Sequence, residues 1–178
     1  MSRILVLNGS VCRGGNTELL VQSFAEGARK NNSVEIVSVA DFKVNPCIGC
    51  NSCFNREEND CSQNDDMTKV YEKLKSTDIL VIASPVYFYG ISAQLKAMID
   101  RLHTPMRNSF PIKKLALILV GAASLPEMFD AIKVQYRLAL NFFGLEDAGT
   151  VLVRGAKKKG DVKNTDGLKE AYELGSSL

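Results

Sequence analysis

Ten residues near the amino terminus, Asn8-Gly9-Ser10-Val11-Cys12-Arg13-Gly14-Gly15-Asn16-Thr17, have the composition of an anion cradle. Small residues let main-chain N–H groups converge on an anion, and glycine tolerates its close approach. A helix opening at Thr17 would add partial positive charge from its first turn. Three familiar phosphate loops do not fit. A Walker loop needs Lys after its second glycine, and Gly15 stands there. Val11 breaks the Gly-x-Gly of the dinucleotide fingerprint. A Cys-nucleophile phosphatase loop would place Arg six residues after Cys12, where Glu18 stands. What is left is a set of hydroxyl, amide and main-chain donors at Ser10, Gly15, Asn16 and Thr17, with Arg13 nearby and Cys12 filling the loop. Such a set suits one terminal phosphate monoester, the group that FMN carries. A Gly-rich turn that binds nothing has the same composition and stays open as the alternative.

Cys47, Cys50, Cys53 and Cys61 form a second candidate site, spaced C-x2-C-x2-C-x7-C. Three thiols so close together resemble the run that wraps a [4Fe–4S] cubane, and Pro46 and Gly49 supply the turns that wrapping needs. The fourth thiol differs, since its gap is longer and Ser62, not Pro, follows it. Four thiolates could also close a tetrahedral zinc site, though zinc sites more often use two separated pairs. Free thiols, some of them redox-active, are the third reading. His103 is the sole histidine. It ends a helix, where imidazole can meet free carbonyls, and takes no catalytic part.

These residues must be positioned by elements, and strand and helix signals alternate along the chain. Arg3–Leu7, Val34–Val39, Ile79–Ala83, Leu115–Val120 and Thr150–Val153 read as strands, the third and fourth as strands buried on both faces. Helical spacing recurs at Met67, Val70, Tyr71 and Leu74, with Asp65 and Asp66 as cap and first-turn acids. It recurs again at Leu95, Met98, Ile99 and Leu102, with Ser92 as N-cap. A longer run begins at Leu125, behind a Ser124/Glu127 capping box, and Gly144 stops it. Leu168, Ala171 and Tyr172 mark a closing helix. Five strands alternating with five helices predict an α/β fold, a parallel sheet covered on both faces. In the strand order 2-1-3-4-5 the switch point lies between the first and third strands, and ligands sit beyond their carboxyl ends. The Gly9–Thr17 loop follows the first strand, and Ser84-Pro85-Val86-Tyr87-Phe88-Tyr89-Gly90 follows the third. Main-chain groups of residues 86–90 could meet the polar edge of a flat ring while Tyr87, Phe88 and Tyr89 wall it from water. The alternative is an aromatic loop that only covers the sheet edge.

At 178 residues the chain is expected to form one domain, residues 1–178. A net charge of +2 gives no case for nucleic acid or an anionic membrane. Lys157-Lys158-Lys159 is the only basic run. It reads as a solvated loop, or as a grip on an acidic carrier or a pyridine-nucleotide phosphate. The apolar amino terminus enters the Gly9 loop directly, so it reads as a strand, not a leader. The longest apolar stretch, Leu115 to Leu125, is too short to span a bilayer. Five cysteines without a leader then imply a reducing, cytoplasmic location.

Taken in order, Gly9-Ser10…Gly15-Asn16-Thr17, Pro46-Cys47-Ile48-Gly49-Cys50…Cys53…Cys61…Asp65-Asp66-Met67, Ser84 to Gly90, and Ile91 to Arg101 resemble the NADPH-dependent FMN reductase and iron–sulfur flavoprotein group of the flavodoxin-like superfamily. The resemblance implies a three-layer sandwich around the five-stranded parallel sheet. It implies FMN held non-covalently, with Ser10, Arg13, Asn16 and Thr17 around the phosphate and Pro85, Val86, Tyr87, Phe88, Tyr89 and Gly90 beside the ring. It further implies a homodimer or homotetramer whose interface helps complete the flavin pocket. The expected activity is electron transfer from NAD(P)H to a small-molecule acceptor (a quinone, a nitro or azo compound, free flavin) or to a protein electron carrier. A cluster on Cys47, Cys50, Cys53 and Cys61 would relay single electrons to such a carrier. FMN carries the chemistry, so no side chain need be an acid, base or nucleophile. The alternatives are a flavodoxin-type electron carrier without its own substrate, against which the near-neutral charge speaks, and a zinc- or thiol-based redox sensor.

Overall fold

The computed structural model describes residues 1–178. Its elements in chain order are β1 (Arg3–Asn8), α1 (Asn16–Ala28), β2 (Ser33–Ser38), α2 (Ser52–Asn55), α3 (Met67–Leu74), β3 (Ile79–Tyr87), β4 (Gly90–Ile91), α4 (Ala93–Asp100), β5 (Lys114–Val120), α5 (Asp130–Phe143), β6 (Glu146–Val153) and α6 (Gly167–Ser176). The five long strands pair in parallel in the order β2-β1-β3-β5-β6. This is the expected doubly wound order, with the short β4 as an addition that pairs antiparallel with the end of β3.

Successive side chains of a strand point to opposite faces, and that alternation divides the core into two layers. Leu5, Leu7, Leu80, Ile82, Leu115, Leu117 and Leu119 pack against α3, α4 and α5. Their neighbours Ile4, Val6, Ile79, Val81, Ala83, Ala116, Ile118 and Val120 pack against α1 and α6. Each such side chain contributes about 1.5–3 kcal/mol on burial, so stability resides in the sheet and its flanking helices, not in the edge loops. Helices α1 and α6 approach closely. A Cβ at Gly175 would stand 2.1 Å from the Phe24 carbonyl oxygen and 2.9 Å from Ala28 N, an approach that only glycine permits.

The helix signals hold at α4, where Ser92 Oγ accepts from Leu95 N at 3.3 Å, and at the end of α5, where Gly144 is left-handed. The capping box at Ser124 does not form. Pro126 disfavours helical geometry at Leu125, and the carbonyls of Leu125 and Pro126 accept from Arg154 at 3.1 and 2.7 Å. Helix α5 therefore starts at Asp130. Strand β6 begins at Glu146, four residues before Thr150. Its first half, Glu146-Asp147-Ala148-Gly149, has no strand-forming composition. A bulge opposite Leu115/Ala116 leaves Ala148 unpaired, and Asp147 Oδ1 accepts from Gly149 N at 2.9 Å there. No helix is long and apolar enough to cross a membrane.

Candidate flavin and thiol sites at the carboxyl edge of the sheet

Asn8 ends β1 opposite Ala83 of β3, and Gly9 N donates to Ala83 O at 2.7 Å. The two candidate flavin loops thus leave neighbouring strand ends and flank one crevice. At its base the buried Ser84 hydroxyl accepts from Ser92 N at 3.0 Å and donates to Pro85 O at 2.8 Å, which closes the second loop on itself.

The first loop is held by its own side chains. Ser10 N donates to Asn8 Oδ1 at 3.1 Å, and Ser10 Oγ accepts from Cys12 N at 3.2 Å. Ser10 keeps its hydroxyl proton for a ligand. Gly15 is the N-cap of α1 and is buried, as is Thr17. The N–H groups of Asn16, Thr17 and Glu18 open the helix without intrahelical partners, which makes them donors for an anion. Glu18 itself reaches back to accept from Gly14 N. Cys12 and Arg13 are exposed at the tip, and Arg13 pairs with Asp41 at the start of the cysteine-bearing segment. The Asn16 side chain is committed elsewhere. Its Nδ2 donates to Ala156 O at 3.2 Å and Lys158 O at 2.9 Å, while its Oδ1 accepts from Gly160 N at 2.9 Å and Val162 N at 3.3 Å. Asn16 offers the cradle its main-chain N–H rather than its amide.

The second loop is a two-residue hairpin. Val86 faces Ile91 and Tyr87 faces Gly90 across it. Phe88 and Tyr89 at its tip have φ of 47° and 63°, positive at both positions as a type I′ turn requires. Asn and Gly normally fill such positions; bulky side chains there are strained. Phe88 is 98% exposed, and Tyr87 and Tyr89 are each more than half exposed. Strain and exposure of three aromatics at one strand end are the pattern of a surface kept for a ligand. The donor set therefore fits FMN: first-turn N–H groups and Ser10 for a phosphate, an aromatic turn for a flat ring. The loop after β5, residues 121–129, joins the same edge beside Pro85, which pairs with Val120. Its small residues, Gly121-Ala122-Ala123-Ser124, carry no motif that would single it out in the sequence.

Cys47, Cys50, Cys53 and Cys61 line one pocket together with Tyr71, Arg101, His103 and Thr104. No three Cys, His, Asp or Glu side chains converge closely enough to share a single metal ion. Donors surround the sulfurs. Gly49 N donates to Cys47 Sγ at 3.5 Å, and Ser52 Oγ donates to Cys50 Sγ at 3.1 Å. The Ser52 hydroxyl and main chain hold the Cys50 thiol below its ordinary pKa. Arg101 is 4% exposed, and its Nη1 donates to Asp65 Oδ2 and to Asn45 O. Its buried Nε–H has no partner. Tyr71 donates to Arg101 O at 2.8 Å, and burial pushes its hydroxyl up to about 12. Four thiols, an unpaired guanidinium N–H and two short donors to sulfur fit an anionic, sulfur-ligated group. His103 does not cap helix carbonyls with its ring; it packs between Phe54 and Phe142, centroids 5.7 and 5.8 Å away.

Asp65 reads in the sequence as a helix-cap acid, and its Oδ1 accepts from Met67 N at 3.0 Å, while Arg101 is visible only as the end of a longer motif. Their pairing has a signal, since Arg101 sits three residues after buried Met98 on α4's inward register, where a charge requires a partner. Asp65 Oδ2 also accepts from Asn45 N at 2.8 Å, so the pair clasps both ends of the cysteine-bearing loop.

Comparison with known proteins agrees with this geometry. The family described as NADPH-dependent FMN reductase matches residues 2–151. An iron–sulfur flavoprotein from Methanocaldococcus jannaschii is 34% identical over 193 aligned residues, covering 99% of this chain and 95% of the relative. Among solved structures, an NAD(P)H:quinone oxidoreductase from Methanothermobacter marburgensis superposes with a TM-score of 0.79 at 15% identity, covering 99% of this chain and 96% of that one. An FMN-dependent NADH-azoreductase from Bacillus anthracis, solved with FMN, superposes with a TM-score of 0.72 at 17% identity, covering 100% of this chain and 99% of that one. These two likenesses establish the shared flavodoxin-like fold. By its match over most of its length, and by its identity to that flavoprotein, the chain belongs to the NADPH-dependent FMN reductase family of NAD(P)H-dependent oxidoreductases.

Proposed function

We propose that the protein binds FMN between the Gly9–Thr17 loop and the Tyr87–Gly90 turn, and uses it to reduce a quinone, a nitro or azo compound, free flavin or a protein carrier. The observation that carries this reading is the meeting, at one strand edge, of unpartnered first-turn N–H groups and an exposed, strained aromatic turn. When bound, FMN would take hydride from NAD(P)H and pass the electrons on. For a quinone the balance is NAD(P)H, a proton and quinone giving NAD(P)+ and quinol. The chain's own residues bind and wall the ring. Ser10 and the N–H groups of residues 16–18 hold the phosphate, and Tyr87, Phe88 and Tyr89 exclude water from one side.

The thiol pocket is proposed to hold a [4Fe–4S] cluster on Cys47, Cys50, Cys53 and Cys61. Four thiols lining one pocket, three of them in a C-x2-C-x2-C run, suit a cubane better than zinc, whose ligands more often come as two separated pairs. The Arg13–Asp41 pair ties the start of this segment to the phosphate loop. Assembly as a homodimer or homotetramer is supported by Val134, Leu138 and Phe142, which recur every four residues along α5 as an apolar stripe and stay about half exposed.

Anaerobic purification followed by an absorbance spectrum, an FMN titration and iron and sulfide analysis tests both parts. Flavin bands, a saturable FMN titration and iron with labile sulfide are expected. Single Cys47→Ala and Cys61→Ala variants lose iron and sulfide but keep FMN, and Cys12→Ser loses neither. Folded protein that ignores added FMN refutes the flavin site. Zinc without iron or sulfide refutes the cluster and leaves the flavin site standing.

A further inference from the structure

The basic run Lys157-Lys158-Lys159 follows β6, far from the phosphate loop in sequence. In the fold one of the three lies against that loop. A side chain at residue 14 would place its first carbon 3.2 Å from both Cε and Nζ of Lys159. Gly14 has φ of +64° and no side chain to stand between its backbone and the ammonium. The placement is built by hydrogen bonds. Lys158 O and Gly160 N, on either side of Lys159, are both bound to the side chain of Asn16, the first residue of α1. Lys158 N donates to Asp161 Oδ2 at 2.6 Å, and Gly160 is left-handed with φ of 89°. The four bonds of Asn16 thus hold the 156–162 loop against the end of the phosphate loop.

No carboxylate lies within ion-pair distance of Lys159. The nearby acids are engaged: Glu18 accepts from Gly14 N, Asp161 from Lys158 N, and Asp41 from Arg13. An ammonium without an ion pair lies beside Gly14, in the loop that leads into the unpartnered N–H groups of α1, and a phosphate monoester is the anion that would satisfy both. Such a group carries about two negative charges at neutral pH, more than one helix end neutralises. Arg13 is already paired.

We propose that Lys159 closes over the phosphate monoester of FMN, as the cation of a clamp whose other jaw is the amino terminus of α1. This rests on the FMN reading above and adds a residue to it. The same chemistry exists on the ribose phosphate of NADPH, but the position over Gly14 assigns the lysine to the flavin.

Flavin-free wild type, Lys159→Gln, Lys159→Arg and the control Lys157→Gln are titrated with FMN and with riboflavin, without pyridine nucleotide, at low and physiological salt. The Gln variant is expected to bind FMN about tenfold more weakly, the size of one charge-assisted contact at an exposed site. Its FMN affinity becomes less salt-dependent than that of wild type, its riboflavin affinity equals that of wild type, and Lys159→Arg and Lys157→Gln stay near wild type. Unchanged FMN binding in Lys159→Gln overturns the assignment, and if the KM for NADPH then rises while that for NADH does not, the lysine serves the nucleotide instead. Equal weakening toward FMN and riboflavin also overturns it, since a structural support would act on both. A wild type that binds neither flavin sinks the FMN reading itself, a result distinct from these.

Discussion

Replacing the tip of the aromatic turn should make the protein more stable and a poorer flavin binder. Phe88 and Tyr89 sit at φ of 47° and 63°. A left-handed backbone costs an ordinary L-residue about 1–2 kcal/mol, so the pair stores about 2–4 kcal/mol. In Phe88→Asn/Tyr89→Gly both residues suit the positive φ of a type I′ turn, Asn by tolerating the left-handed region and Gly by lacking a Cβ. Three losses offset the gain. Glycine gives back about 0.5–1 kcal/mol of unfolded-state entropy. The Phe88–Tyr89 ring contact, centroids 5.9 Å apart, contributes at most about 0.5–1 kcal/mol at an exposed site. Burial lost at residue 88 is negligible, because Phe88 is 98% exposed, but Tyr89 is only 52% exposed and losing its ring costs about 1 kcal/mol. The net is a gain of about 0.5–1 kcal/mol. With a urea m-value of about 2 kcal/mol/M, the midpoint rises by about 0.3–0.5 M. The assay is urea unfolding of flavin-free protein followed by far-UV circular dichroism, paired with an FMN titration. A midpoint that stays put or falls, with m unchanged, refutes the strain. Unchanged FMN affinity refutes the assignment of the turn to the ring.

Two other perturbations test the scaffold. Asp65→Asn leaves the buried Arg101 charge without its partner and should cost about 3–5 kcal/mol in urea unfolding. Burial alone would raise the Asp65 pKa, but the Arg101, Asn45 and Met67 donors outweigh it and hold the carboxyl below its ordinary value. Its contribution is therefore complete above the ordinary carboxylate pKa and is lost as pH falls through the depressed one. Wild-type midpoints should drop below about pH 4 more steeply than those of Asp65→Asn, and parallel pH profiles would count against the pair. Gly175→Ala pushes a methyl into the Phe24 carbonyl and must part α1 from α6. The expected loss is about 1–3 kcal/mol, read as a lower melting temperature, and an unchanged melt would show that the helices separate freely.

The sheet was legible in the sequence because its strands are buried on both faces. Ile79–Ala83 and Leu115–Val120 admit no reading as amphipathic helices of useful length, and strand order follows from the alternation of strands and helices. The first loop was legible from composition. What escaped depends on partners distant in sequence. Pro126 and the reach of Arg154 to the Leu125 carbonyl moved the start of α5. Asn16 looked like a ligand because an amide in a Gly-rich turn suits a phosphate, yet its side chain spans to residues 156–162. The tight turn at Phe88 and Tyr89 was unreadable because its residues contradict their own backbone preference. The run Lys157-Lys158-Lys159 was legible as a solvated loop or a grip on an acidic carrier or nucleotide phosphate, but no local pattern reports that Lys159 lies against residue 14.

The misread positions share a physical cause. The apolar layers end where the strands end, and beyond them the loops have little hydrophobic surface to bury. Order at the carboxyl edge then comes from polar ties between loops: Gly9 to Ala83, Arg13 to Asp41, Asn16 to the 156–162 loop, and Arg101 with Asp65 to the base of the cysteine segment. Each tie joins a loop to the end of a neighbouring element, so the cradle, the aromatic turn and the thiol pocket are set before any ligand arrives. A candidate site ordered this way leaves groups without partners: the N–H donors of α1, the buried Arg101 Nε beside the thiols, and the exposed aromatics at residues 87–89. Sequence periodicity reports what is buried against the sheet; these ties are written in single polar residues whose partners only the fold brings near.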